Sequence, residues 1–411
     1  MKLGNAWLKY DVEGEEMSRT MTHRDHEIVR VEPILADMHA FVEIETASGL
    51  VGVGEIGVWS HLEAATTLAE KAGRYLIGQS ADRIEHHWQA LTRFGSYHGS
   101  ILMGVVSAID IALWDLKGQQ LGVPVYELLG GALRDRVRVY GQIRGANQEE
   151  VINNVTALKT AGFTAAGHLN PFLDVSSDIP LDSTYAKRMS SALEVLHSVR
   201  EAVGNDLDLG IELHRRLSPG EAISFARSLE YLQPLFLEDP IRPDSIEAMA
   251  EVQRSIGVPI ATGERIYSLH EFQQLLRAGG ARYIRPCIGL CGGFTGLRKI
   301  AALAEAYDVQ IIPHNPFSPV MLNANLHAAA ALPNFLILEY PTASYIDHTF
   351  STSLRGTSLV TSVPTFDAGY VTVPVSPGLG TSLASDLKEK HPPREIPIKL
   401  RHHIDGSLVE H

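Results

Sequence analysis

A chain of 411 residues exceeds one ordinary domain and fits two or three domains, or one barrel with an appendage. Its 45 % hydrophobic and 20 % charged residues are those of a folded soluble protein and exclude extended disorder or fibrous repeats. With 35 basic against 48 acidic residues the net charge is −13. That excludes a general binder of nucleic-acid backbone, though not an anionic substrate held by a local cation or metal.

Residues 1–16 contain no uninterrupted apolar run and several acids, so they do not read as a signal peptide. The longest apolar stretch, 101–114, is interrupted by Asp110 and is too short to span a bilayer. A cytoplasmic location without a membrane partner is expected. Between 29 and 57, apolar and polar residues alternate around the turn Ala47-Ser48-Gly49, which predicts an antiparallel hairpin. Residues 52–57 read G-x-G-x-x-G, but a hairpin strand precedes them and no parallel βαβ unit follows. The dinucleotide reading therefore fails, and the glycines are assigned to a twisted strand. Helical periodicity dominates from about 63 to 129, with Val105, Ile109, Leu113 and Leu116 on one face. A small α+β domain over residues 1–130 follows.

Beyond Arg134 the texture becomes short apolar strand, loop, amphipathic helix. Strands are predicted at 137–143, 163–168, 207–213, 235–238, 259–262, 283–287, 309–313 and 335–339, with helices between them at 149–160, 189–203, 220–229, 245–255 and 296–307. Eight such strands imply a closed parallel α/β barrel over 131–342, with an open doubly wound sheet as the alternative. Residues 343–411 contain no further repeat and are expected to fold back and complete the N-terminal cap. The two cysteines, Cys287 and Cys291, lack a second pair and read as buried thiols rather than a zinc site.

Glu212, Glu238 and Glu264 end three consecutive predicted strands at equal intervals of one βα unit. Each step returns the chain to the same end of the next strand, so the three carboxylates converge where barrel active sites form. Unpaired, they would repel one another, and a divalent cation resolves the conflict. Oxygen-only ligands favour Mg²⁺ over zinc. The bland alternative pairs each acid with a nearby base such as Arg216, Arg242 or Arg265. His168, His214 and His314 fall at the same rim, and Glu212 and His214 share strand parity, so both should face the mouth.

Four segments, SAIDIALWDLKG at 107–118, LEDP at 237–240, PIATGE at 259–264 and CGG at 291–293, resemble the enolase superfamily. Within it they resemble the mandelate racemase group, close to the mannonate and galactonate dehydratases. The resemblance covers about 41 to 341. It implies a modified TIM barrel, (β/α)7β, under an α+β capping domain, and a sugar-acid substrate bound to Mg²⁺ in a homo-oligomer. Position by position, it makes Glu212, Glu238 and Glu264 the metal ligands, the first being commonly Asp in the dehydratases. It makes His214 the general acid, His314 the strand-seven histidine and Glu339 the carboxylate that holds substrate. Arg216 and Arg144 match arginines of the same motifs. Two departures stand out. Strand two ends in Gly167-His168-Leu169-Asn170 without the Lys-x-Lys base of the racemases, and strand six reads Arg285-Pro286-Cys287 where an Asp often supports the strand-seven histidine. Without that Asp, His314 is a weaker base.

The implied reaction is dehydration of a sugar acid. A base, His314 or else His168, removes the α-proton, Mg²⁺ stabilises the enediolate, and His214 protonates the departing 3-hydroxyl to give a 2-keto-3-deoxy acid. Alternatives are a racemase or epimerase using His168 as second base, and a non-catalytic sugar-acid binding protein on the same scaffold. Residues 11–26, 95–100 with His98, and 170–185 are expected to border the mouth and set specificity.

Overall fold

The computed structural model describes residues 25–181, 184–342, 350–395 and 400–409. The predicted hairpin is a three-stranded antiparallel meander, β1 (Ile28–Ala36), β2 (His39–Thr46) and β3 (Val51–Glu55). Helices α1 (Leu62–Leu76), α2 (Ile84–Thr92), α3 (Ser100–Leu121) and α4 (Val125–Leu128) follow. The face Leu62, Ala65, Ala69, Ala72 and Leu76 of α1 is buried at helical spacing. The glycines of 52–57 have a different use from the one their sequence suggests. A Cβ at Gly52 or Gly54 would collide with the backbone carbonyls of Ala112 and Ala108, so glycine lets α3 lie directly on β3.

The barrel strands are β4 (Arg136–Gln142), β5 (Ala165–Leu169), β6 (Asp208–Glu212), β7 (Phe236–Glu238), β8 (Ile260–Thr262), β9 (Tyr283–Ile284), β10 (Gln310–Ile311) and β11 (Leu338–Tyr340). They pair in parallel in chain order from β4 to β10. The ring closes where β11 pairs with β4, and where a bridge joins Ile311 to Phe335, with Ile311 N–H donating to Asn334 O at 2.8 Å. Between consecutive strands lie α5 (Gln148–Thr160), α6 (Tyr185–Val203), α7 (Pro219–Arg227), α8 (Ile246–Ser255), α9 (Leu269–Ala278), α10 (Gly293–Glu305) and α11 (Pro319–Ala331), the (β/α)7β arrangement. Sequence sets their starts: Ser218 with Glu221 and Ser268 with Glu271 form capping boxes on α7 and α9. A small apolar plug of Tyr140, Ala165, Phe236, Ala261, Ile312 and Ile337 fills the barrel interior. Tyr140 Oη meets the Arg285 guanidinium at 2.8 Å, so the polar site begins where the plug ends.

Cap and barrel are stitched by the very segments that carry the family resemblance. Asp110 Oδ1 on α3 accepts from Thr295 N–H (3.0 Å) in the first turn of α10, and Ser107 Oγ accepts from Gly292 N–H (2.8 Å). Asp115 accepts from Val53 N–H (3.0 Å) and Leu379 N–H (2.8 Å). Cys287 and Cys291 are buried nearby, and burial pushes both thiols up. The C-terminal segment touches both parts. Its β12 (Phe366–Asp367) and β13 (Tyr370–Thr372) form a hairpin, with β13 antiparallel to β4, while Arg394 reaches Asp37 of the cap at 2.9 Å. A last hairpin, β14 (Arg401–His402) with β15 (Leu408–Val409), lies against the loop after β5, where Leu181 N–H donates to His402 O at 3.0 Å. No helix among the described residues is long and apolar enough to cross a membrane.

Candidate active site

The C-terminal ends of β6 and β7 deliver Glu212 and Glu238, and the turn after β8 delivers Glu264. One oxygen from each lies within 4.8 Å of the others, and a second overlapping group joins His168, Glu212 and His214 on the same scale. The bases that face these acids differ from the three named on sequence grounds. Arg215 Nη1 bridges Asp239 Oδ2 and Glu264 Oε1, each at 2.8 Å. Arg285 ion-pairs with Glu238 through Nε and with Glu339 Oε2 at 2.8 Å. Two buried arginines thus face five carboxylates.

That imbalance shows in the titration of the acids. Burial, then the charges of Asp239 and Glu264, push Glu212 up to about 8, and burial raises Glu238 well above the carboxylate range. Burial acts on Glu264 too, yet His314, Arg215 and Arg285 hold it down at about 2. The three glutamates cannot all ionise on their own arginines. A hard cation with oxygen ligands would supply the missing positive charge, so the residues present fit such an ion.

The histidines fall on two sides. His168 lies within β5 at φ 52, a left-handed position for a non-glycine residue where the β5–β6 register breaks. Its ring meets that of His214 edge-on at 4.6 Å, and its Nε2 lies 3.0 Å from Arg144 Nη2. His214 and Arg215 are also left-handed, at φ 47 and 63, so strand parity does not extend past Glu212. A turn brings His214 back instead, its backbone N–H donating to Glu212 Oε1 at 2.7 Å. The same turn points Arg215, not Arg216, at the carboxylates. His314 lies beyond them in barrel order, its Nε2 3.6 Å from Glu264 Oε2. Its buried Nδ1 has no hydrogen-bond partner among the described residues, as expected where strand six lacks an acid. Burial lowers all three imidazoles: His168 further by Arg144, and His214 further by His168, Arg215 and Arg216. For His314, Glu264 opposes the shift.

Glu339 is held by three donors of the protein. It accepts from Gln142 Nε2 (2.7 Å), Arg285 Nη2 (2.8 Å) and Asn315 N–H (3.0 Å). The loop carrying His314 and Asn315 is fixed from the cap. Buried Glu55 accepts from His39 Nδ1 (2.7 Å) and from Ser318 Oγ (2.6 Å) at the start of α11. Residues 11–24 of the expected lid lie outside the described residues, and 95–100 form a turn leading into α3.

Two family models cover most of the chain. The mandelate racemase/muconate lactonizing enzyme N-terminal domain matches residues 22–130, and the enolase C-terminal domain-like model matches 150–387. The chain belongs to the mandelate racemase/muconate lactonizing enzyme family of the enolase superfamily. Curated relatives named D-galactonate dehydratase include those of Verminephrobacter eiseniae, 35 % identical over 379 residues, and Ralstonia nicotianae, 35 % over 380. Each alignment covers 90 % of this chain and 96 % of the relative. Among solved structures, an Agrobacterium radiobacter enolase, described as a candidate galactarate dehydratase with bound sodium and L-malate, superposes with TM-score 0.85 at 29 % identity. It covers 94 % of this chain and 100 % of its own. A mandelate racemase/muconate lactonizing enzyme-like protein from Roseovarius sp. TM1035 gives 0.82 at 27 %, covering 92 % and 98 %. Arg285, Arg215, Tyr140, Gln142 and Asn315 are site residues that sequence reasoning missed. Arg285 was visible only as the position where an acid is lacking.

Proposed function

We propose that this family member is a hydro-lyase that dehydrates a sugar acid to a 2-keto-3-deoxy acid, with Mg²⁺ held by Glu212, Glu238 and Glu264. The observation that carries the reading is a cluster of three carboxylates short of positive charge, with His314 on one side and the His168–His214 pair on the other. The dehydratase names of its relatives support it. When bound, the ion supplies the positive charge that offsets the charge developing on the substrate carboxylate as the α-proton leaves.

The chain's own residues do the rest. Burial favours the neutral form of His314, the form that can take the α-proton. Glu339 and Tyr140 hold Arg285 against Glu238 and keep that side chain aimed. His214 gives its proton to the departing 3-hydroxyl. Burial and its cationic neighbours hold it neutral before substrate enters, so its acid form arises once an anionic ligand lies beside it. Arg144 orients His168, and Arg216 binds the substrate away from the carboxylate cluster. A site at the mouth of the α/β barrel suits a small metabolite, and a cytoplasmic homo-oligomer is expected from the family.

The test is incubation with a panel of aldonic and aldaric acids, scored for 2-keto product and run in D₂O. Loss of water from one or more panel members is expected. Flanking imidazoles also suit two-base racemisation, and α-deuterium incorporation with no loss of water from any substrate would replace the dehydratase reading with that one.

A further inference from the structure

The loop after β5 does not stand alone at the barrel mouth. Asp174 N–H donates to Gly145 O at 2.9 Å, next to Arg144, and Arg401 Nη2 of the C-terminal hairpin donates to Val175 O at 2.7 Å. Arg401 is 4 % exposed, yet its Nε and Nη1 are buried without a hydrogen-bond partner among the described residues. Arg216 Nε is in the same condition. Burial first, and then the charge of Arg401, lower Arg216 to about 10, so the two guanidiniums lie close enough to oppose each other. Asp174 and, less strongly, Glu212 act on the same Arg216 in the opposite direction. The acid of that loop, Asp174, accepts from Gly145 N–H (3.4 Å) and Asn170 Nδ2 (3.3 Å) and forms no ion pair with either arginine among the described residues. A buried and a half-buried like charge with unused N–H groups are costly unless an anion joins them, and a carboxylate matches the guanidinium fork.

We propose that Arg401, carried in by the C-terminal hairpin, and Arg216 form a second carboxylate subsite, and that the substrate is therefore a sugar diacid. One end lies at the Glu212–Glu238–Glu264 cluster and the other between the two arginines. The inference rests on the dehydratase reading and narrows it to aldarates. It also gives the C-terminal hairpin a binding role in addition to its structural contacts.

The experiment compares six-carbon aldarates with aldonates of the same configuration, which end in a hydroxymethyl group. Wild-type kcat/KM should favour the diacid by roughly 10- to 100-fold, the range of a charge-assisted hydrogen-bonded pair. Arg401→Gln should bring the two within about threefold, chiefly through KM, and Arg401→Lys should restore part of the preference. Wild-type enzyme that turns over aldonates as well as or better than aldarates overturns the subsite and leaves the dehydratase reading standing. If no sugar acid is turned over, that reading fails and the subsite is judged by calorimetry. A six-carbon aldarate should bind the Mg²⁺-loaded protein at least 10-fold more tightly than the aldonate of the same configuration, and Arg401→Gln should abolish the difference. Equal binding overturns the proposal.

Discussion

Arg285 is the residue on which the site's electrostatics turn. Its guanidinium satisfies Glu238, Glu339 and Tyr140 inside the barrel, with all four side chains buried. Removing one partner of such a set leaves charges buried without compensation. Arg285→Met should therefore cost about 3–5 kcal/mol in chemical denaturation, and adding Glu339→Gln should recover part of that loss. The two sides of the site separate by isotope exchange. His214→Asn should lower product formation by about 100-fold or more while α-proton exchange in D₂O persists, whereas His314→Asn should lose both. Exchange surviving in the His314 variant would move the base to His168. The glutamates were legible in the sequence because their spacing matches the βα repeat, a property of the chain alone. Arg215 was not, because the left-handed turn at His214 and Arg215 decides which of two adjacent arginines turns inward. The partners of Arg285 were equally hidden, since they come from β7, β11 and β4, strands two or three places away around the ring.

Helix α3 shows how an element can be dictated by its contacts on both sides. It is buried along nearly all its length, against β3 on one face and α10 on the other, so its apolar residues show only a weak helical stripe. Its polar residues do specific work, and Asp110 holds the first turn of α10. Burial, only partly opposed by the bonds to Thr295, raises Asp110 to about 7, well above an unfolded aspartate. Between those two values the native state binds more protons than the unfolded one, so this group lowers stability as pH rises from about 4 to about 7, after which its effect is constant. Asp110→Asn keeps an acceptor and removes the titration. Melts of the two proteins should show the variant gaining on wild type between pH 5 and pH 8, by up to about 3 kcal/mol. Parallel curves across that range would show that Asp110 is ionised throughout. The existence and order of the barrel elements were readable from alternating periodicity, but β12 to β15 were not. These strands are two or three residues long and take their pairing from β4, β5's loop and one another rather than from any local pattern.

At the scale of the whole molecule, one hydrophobic cluster runs from Ile28 in the cap through the barrel helices to Leu387 in the C-terminal segment. Helix α11 is buried on every side between barrel and cap, and β4 carries β13 on its first residues. A barrel excised as residues 131–342 should consequently fail to fold, and the full chain should melt in one cooperative transition by calorimetry. This continuity matters for chemistry, because the cap fixes the loop of His314 through Glu55 and Ser318. The net charge of −13 repels an anionic substrate overall, so on the proposed reading attraction has to be local, from a cation at Glu212, Glu238 and Glu264 and from the surrounding arginines. The most direct test is the rate of 2-keto product formation by enzyme stripped with EDTA and then titrated with Mg²⁺, in wild type and in Glu238→Gln. The account predicts no turnover without metal, saturable recovery in wild type and little or none in the variant. Turnover that persists in EDTA, or full recovery in Glu238→Gln, would contradict it.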